Sequence, residues 1–216
     1  VEGAKLVKKL GYNTLAILYV NDDYGVGFEK VLRENFDNVL ISEAFEKEAT
    51  DVRTQLTKIK EKNPEAIYLI SNSPAAAGAA LKQIKELGIT AKIIGSEGLK
   101  DQSVLDAAAG AAEGLLITFL SPSQSIIGKQ FMNRYKKQYA EDPPIFAAEA
   151  YDAMLAISQA QENSDGTKDG LIKAMNDINF EGASGKIDFD EKGDVIKSYN
   201  ILLVKDNAFI EFDQSA

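Results

Sequence analysis
The sequence has neither cysteine nor histidine among its 216 residues. Zinc sites of the usual Cys/His kinds are therefore excluded, as are Ser-His-Asp and Cys-His nucleophile pairs within the chain. With no cysteine there is no disulfide pattern, and the redox compartment stays unread. A basic excess is also missing: 33 acidic residues against 24 basic ones give a net charge of −9. That sign disfavours nucleic acid, where cationic side chains supply much of the affinity, and it disfavours a polybasic membrane contact. No apolar run approaches the ~18 residues of a membrane-spanning helix. Internal repeats, low-complexity linkers and the glycine fingerprints G-x-S-x-G and G-x-G-x-x-G are absent. Two near-motifs fail. Gly182 to Lys186 resembles the tail of a phosphate loop, but Phe180 stands where the first glycine belongs and Ile187 where the magnesium hydroxyl belongs. Asp188 to Gly193 hints at a calcium loop, but Lys192 and Tyr199 occupy ligand positions, so a hairpin turn is the better reading.

What is present is the balance of a soluble globular protein, 45% hydrophobic and 26% charged, in one large domain or two small ones. The chain is organised around Thr14 to Phe28. TLAILYV is a continuous apolar run of the kind a strand buried on both faces needs. NDDYGVGF then breaks into polar residues and glycine, and a helical pattern follows with Phe28, Val31, Leu32 and Phe36 on one face. Further strands are expected at Val39–Phe45, Ala66–Ser71, Ala91–Gly95 and Gly114–Leu120, each separated from the next by a helical pattern. This alternation predicts an α/β fold with a doubly wound parallel sheet.

From Ser125 to Asn179 the rhythm changes to three helices, Gln130–Tyr139, Ile145–Gln161 and Lys168–Ile178, with no strand between them. They are expected to pack on a sheet outside this chain. The end is β again: Lys186–Phe189, Tyr199–Lys205 and Ala208–Phe212, with Asp206-Asn207 as a hairpin turn. The chain opens at Val1 inside a helical pattern of Ala4, Val7 and Leu10, stopped by Gly11, which suggests a mature or cut chain.

In open α/β sheets the ligand crevice lies beyond the carboxyl ends of the strands. The residues there are Asn21–Tyr24, Phe45, Ser71-Asn72-Ser73, Ser96-Glu97-Gly98 and Ser121. A lone carboxylate such as Glu97 in a crevice suits a ligand ammonium. A helix cap at Asp22-Asp23 and a solvated loop acid at Glu97 are equally open readings of the pattern.

VNDDYGVGF, IIGSEGL, AAEGLLITF, AEAYDAM and GASGKIDFDEKGDV, in that order, resemble the type I periplasmic solute-binding proteins of the Leu/Ile/Val-binding group, receptors of amino-acid ABC transporters. The resemblance implies two α/β lobes joined by a hinge and closing around a small ligand. Residues 1–120 and 197–216 would form the C-terminal lobe, and residues 121–196 the mainly helical remainder of the first lobe with the hinge. A first βαβ half, on the order of 100–150 residues, would precede Val1 and hold the groups that bind the ligand carboxylate. Tyr24 would line the ligand, Glu97 followed by Gly98 would take its α-ammonium, and Phe146 would cover its side chain. Asn72-Ser73 departs from the tyrosine common there in amino-acid receptors, which weakens the expectation of a branched aliphatic ligand. The implied function is an extracytoplasmic, periplasmic receptor that binds an amino acid, docks on a permease, and needs neither cofactor nor catalysis. A ligand-sensing domain of the same fold is the alternative, and an enzyme on a doubly wound sheet the contrary class. The apolar helix faces between 125 and 180 predict a homodimer of this chain.

Overall fold
The computed structural model describes residues 1–121, 123–195 and 197–212. Pro122, Ile196 and residues 213–216, which fall within the segments assigned from sequence, lie outside the described residues. The chain divides into two compact units: Val1–Phe119 together with the chain from Tyr199 onward, and Leu120–Ser198.

The first unit carries the expected alternation. Helix α1 (Glu2–Lys9) leads to β1 (Leu15–Val20), α2 (Asp23–Asn35), β2 (Val39–Phe45), α3 (Arg53–Lys62), β3 (Ala66–Ile70), α4 (Pro74–Glu86), β4 (Lys92–Gly95), a 3₁₀ turn at Glu97–Leu99, α5 (Gln102–Ala108) and β5 (Leu116–Leu120). Strands β1 to β5 pair in parallel in the order β2-β1-β3-β4-β5. The successive residues of β1 point to opposite faces. Ala16, Leu18 and Val20 join the core under α3, α4 and α5, while Leu15 and Ile17 join the core under α1 and α2. Both faces are covered, which is why the strand reads as unbroken hydrophobicity.

The same sheet takes in two later strands, β8 (Tyr199–Lys205) and β9 (Ala208–Glu211), beyond β5. Val204 exchanges backbone hydrogen bonds with Gly114 and Leu115, and Ser198 accepts one from Ser121, so β8 runs back along β5. Antiparallel pairing of β8 with β9 turns at Asp206 and Asn207, whose φ angles of 52° and 60° are those of a type I′ hairpin.

The second unit contains α6 (Ile126–Tyr139), α7 (Ala147–Asn163), α8 (Lys168–Asn176), β6 (Asn179–Gly182) and β7 (Gly185–Asp188). Here the sequence expectation needs correction. β6 was not expected, and α7 and α8 pack on the β6–β7 hairpin within this chain through Ala156, Ala160, Ala174, Ile178 and Ile187. Asn179-Phe-Glu-Gly is too short and too polar to show as a strand, and its pairing with β7 supplies what its composition does not. Asp152 of α7 anchors the hairpin. It is buried, and its carboxylate accepts from Ala183 N (2.7 Å), Ser184 N (2.7 Å) and Ser184 Oγ (2.6 Å). Lys197 reaches the same turn, donating to Ser184 O and Oγ. Several large apolar side chains of this unit are exposed, among them Ile126, Met132, Tyr139, Met154 and Ile172.

Candidate functional site
The site is built in the first unit, where β1, β3 and β4 end side by side. After β1, Asp22 caps α2 by accepting from Gly25 N at 2.9 Å. A β-carbon on Gly25 would overlap the Val20 carbonyl oxygen, so only glycine lets the helix start this close to the strand. That tight start places Tyr24 in the first turn of α2, half-buried, with its ring 6.0 Å from Phe28, which in turn lies 5.6 Å from the buried Tyr68. The Tyr24 hydroxyl donates to Glu97 Oε1 at 2.9 Å. Burial, and then the Glu97 charge, push the phenol well above its ordinary pKa, so it stays a donor across the physiological range.

Glu97 opens the 3₁₀ turn after β4, between the fully buried Ser96 and the half-buried Gly98. Gly98 packs on the Ser71 carbonyl at the end of β3. One residue on, Asn72 is exposed and its Nδ2 donates to Asp22 Oδ2 at 2.8 Å. Ser73 donates its backbone N–H to Ser71 Oγ and precedes α4 with no side-chain cap hydrogen bond. The Asp22 carboxyl is held below its ordinary pKa chiefly by the Gly25 N–H, with the Asn72 amide adding. Chemically the assembly is a carboxylate steadied by a neutral phenol, beside a fixed polar turn. It has the means to accept a cation's hydrogen bonds.

The structure thus brings Tyr24, Asn72, Ser73, Glu97 and Gly98 to one end of one sheet. Phe146 belongs to the second unit, where it precedes α7 with φ of 67° and an exposed ring. Phe45 is buried in the core. One neighbour escaped the sequence reading. Tyr199 opens β8, and because β8 runs back along β5, its phenol lies at the same end of the sheet. Its pKa is raised by burial first and by Glu97 second. Only knowledge of the strand direction would have found it.

At the opposite pole, a cavity of about 310 Å³ is lined by Tyr12, Glu65, Lys92 and Glu113. Its charged groups are already engaged: Lys92 with the Gly114 carbonyl, Glu65 with the N–H groups of Asn13 and Thr14, and Glu113 with Asp206 N–H. Among the described residues no group of three or more acidic side chains is placed to hold a metal ion, and no helix is long and apolar enough to cross a membrane.

A family model described as "Periplasmic binding protein" matches residues 2–208. The leucine-, isoleucine-, valine-, threonine- and alanine-binding protein of Pseudomonas aeruginosa is 25% identical over 201 residues, covering 90% of this chain and 54% of that protein. Among solved structures, the leucine-binding protein LivK of Thermotoga maritima superposes with a TM-score of 0.85 at 26% identity, over 98% of this chain and 64% of that one. LivJ of Streptococcus pneumoniae, in complex with isoleucine, gives 0.75 at 25% identity, over 98% and 64%. The chain spans about half the length of the curated relatives it matches.

Proposed function
The chain belongs to the periplasmic binding protein family, and we propose on that premise that it serves as the extracytoplasmic amino-acid receptor of an ABC transporter. The single observation that carries this reading is the Tyr24–Glu97 pair. Tyr24 occupies one carboxylate oxygen and steadies the group, while Glu97 Oε2 is left to accept from the ligand's α-ammonium. Gly98 keeps the turn flat against Ser71, and Asn72 and Ser73 border the place where the ligand side chain would extend. Binding of this kind makes and breaks no covalent bond, in keeping with relatives whose names describe binding. A permease is the partner that would receive the ligand.

The test is calorimetry on the native protein with a panel of free amino acids. A charge-assisted hydrogen bond contributes about 1.5–3 kcal/mol, so Glu97→Gln should weaken binding by roughly 10–150-fold. Affinity unchanged in Glu97→Gln would remove this carboxylate from the site. Turnover of a substrate abolished by the same change would favour an enzyme instead.

A second proposal concerns association. Ile126 is 75% and Met154 65% exposed on the helices of the second unit, and we propose that residues 125–180 pair with a second copy of this chain to cover them.

A further inference from the structure
The Asn72 amide has an orientation that chemistry decides. Its partner, the Asp22 carboxylate, is ionised and can only accept hydrogen bonds. The amide must therefore turn its nitrogen to Asp22, as the 2.8 Å Nδ2–Oδ2 distance records. Asp22 cannot move to suit a ligand, because its other oxygen caps α2 at Gly25 N. The carbonyl oxygen of Asn72 is then fixed on the opposite side of the amide as a hydrogen-bond acceptor. Asn72 is exposed, one strand over from Glu97, and its neighbour Ser71 is the residue on which Gly98 packs.

The rest of this rim agrees. Asn21 donates its amide to Glu46 at 2.9 Å, which orients its carbonyl oxygen in the same manner. Ser71 and Ser73 bond to each other. No aliphatic side chain occurs in Asn21–Tyr24, Ser71–Ser73 or Ser96–Gly98, and Leu99, the next residue, is wholly buried. A branched aliphatic side chain set here would strip water from oriented oxygens and give nothing back, which costs free energy for every unpaired acceptor.

We infer that the ligand of this site is an amino acid whose side chain donates hydrogen bonds, an amide, hydroxyl or ammonium, and that Asn72 selects it through its carbonyl oxygen. The inference rests on the amino-acid reading of Glu97 given above, and it parts from that reading at the side chain.

The experiment is calorimetry on the native protein with glutamine, asparagine, serine and lysine against leucine, isoleucine and valine, repeated on Asn72→Ala and Asn72→Leu. Unfolding curves of both variants would accompany it, and the exposure of Asn72 predicts that both fold. A donor-bearing amino acid should bind at least tenfold tighter than leucine. Asn72→Ala should lose about threefold to tenfold of that affinity, the range expected for one neutral hydrogen bond, and Asn72→Leu should shift preference toward leucine. Leucine or valine binding tightest, with Asn72→Leu leaving the order unchanged, would overturn the inference while leaving the amino-acid reading standing. No binding by any member of the panel would overturn the amino-acid reading and this inference with it.

Discussion
Gly98 lies against the carbonyl oxygen of Ser71 so closely that a β-carbon on it would overlap that oxygen, and the Tyr24 hydroxyl stands only 3.4 Å from the same point. Two adjacent strand ends and a helix start therefore meet at a residue without a side chain. Gly98→Ala should push the 3₁₀ turn away from β3 and carry Glu97 with it. Overpacking of this kind costs about 1–3 kcal/mol. Amino-acid affinity should fall about tenfold or more, since the carboxylate leaves the Tyr24 hydroxyl. Calorimetry and urea unfolding measure the two effects, and no change in either would mean that the turn has slack the packing does not suggest.

Asp22 should contribute to stability in a pH-dependent way. Its carboxyl is held below the ordinary value by the Gly25 N–H and the Asn72 amide, so the folded state takes up the proton less readily than the unfolded one. The contribution is fully present above the unfolded pKa, about 4, and is lost as pH falls through the lower folded value. Asp22→Ala should cost about 1 kcal/mol at neutral pH, as loss of a helix cap does, and the difference from wild type should shrink in acid. A difference that stays constant from pH 7 to pH 3 in urea titrations would argue that the residue acts through something other than its charge.

Asp152 should hold the β6–β7 hairpin in place. Asp152→Ala leaves the N–H groups of Ala183 and Ser184 buried without their acceptor and takes a carboxylate from beside Lys197. The expected loss is roughly 2–6 kcal/mol, at about 1–3 for each of the two orphaned N–H donors. It should appear first as faster amide exchange at Ala183 and Ser184. Exchange at those two amides as slow as in wild type would show that the turn stands without Asp152.

Association through the second unit should be concentration-dependent. Light scattering in the micromolar range should report a dimer, and Met154→Glu with Ile126→Asp should return it to monomer. Exposed apolar patches beyond a few hundred Å² are uncommon on soluble monomers, and these two side chains are among the most exposed of the hydrophobic ones. A monomer at every concentration would sink the proposal.

The class of fold was legible because it is written in local pattern. LAILYV, the whole of β1, is hydrophobic at every position because the strand is covered on both faces, and the polar break after it marks the strand's carboxyl end. Asp206-Asn207 reads as a hairpin because few residues other than glycine tolerate two consecutive positive φ angles as well as aspartate and asparagine do. Strand ends, and hence the neighbourhood of Tyr24, Asn72 and Glu97, follow once the strands are known to run parallel. What sequence could not supply were relations between residues far apart in the chain. The hydrogen bond from Tyr24 to Glu97 spans 73 positions and depends on β3 lying between β1 and β4. The Asn72–Asp22 bond depends on the same order. Tyr199 reaches the site's end of the sheet only because β8 reverses along β5. Asp152 reads in sequence as one more polar residue on a helix, and β6 as a loop, until each finds the other at the hairpin. Periodicity records which face of an element is buried, and tertiary pairing alone decides what that face, or that strand end, is buried against.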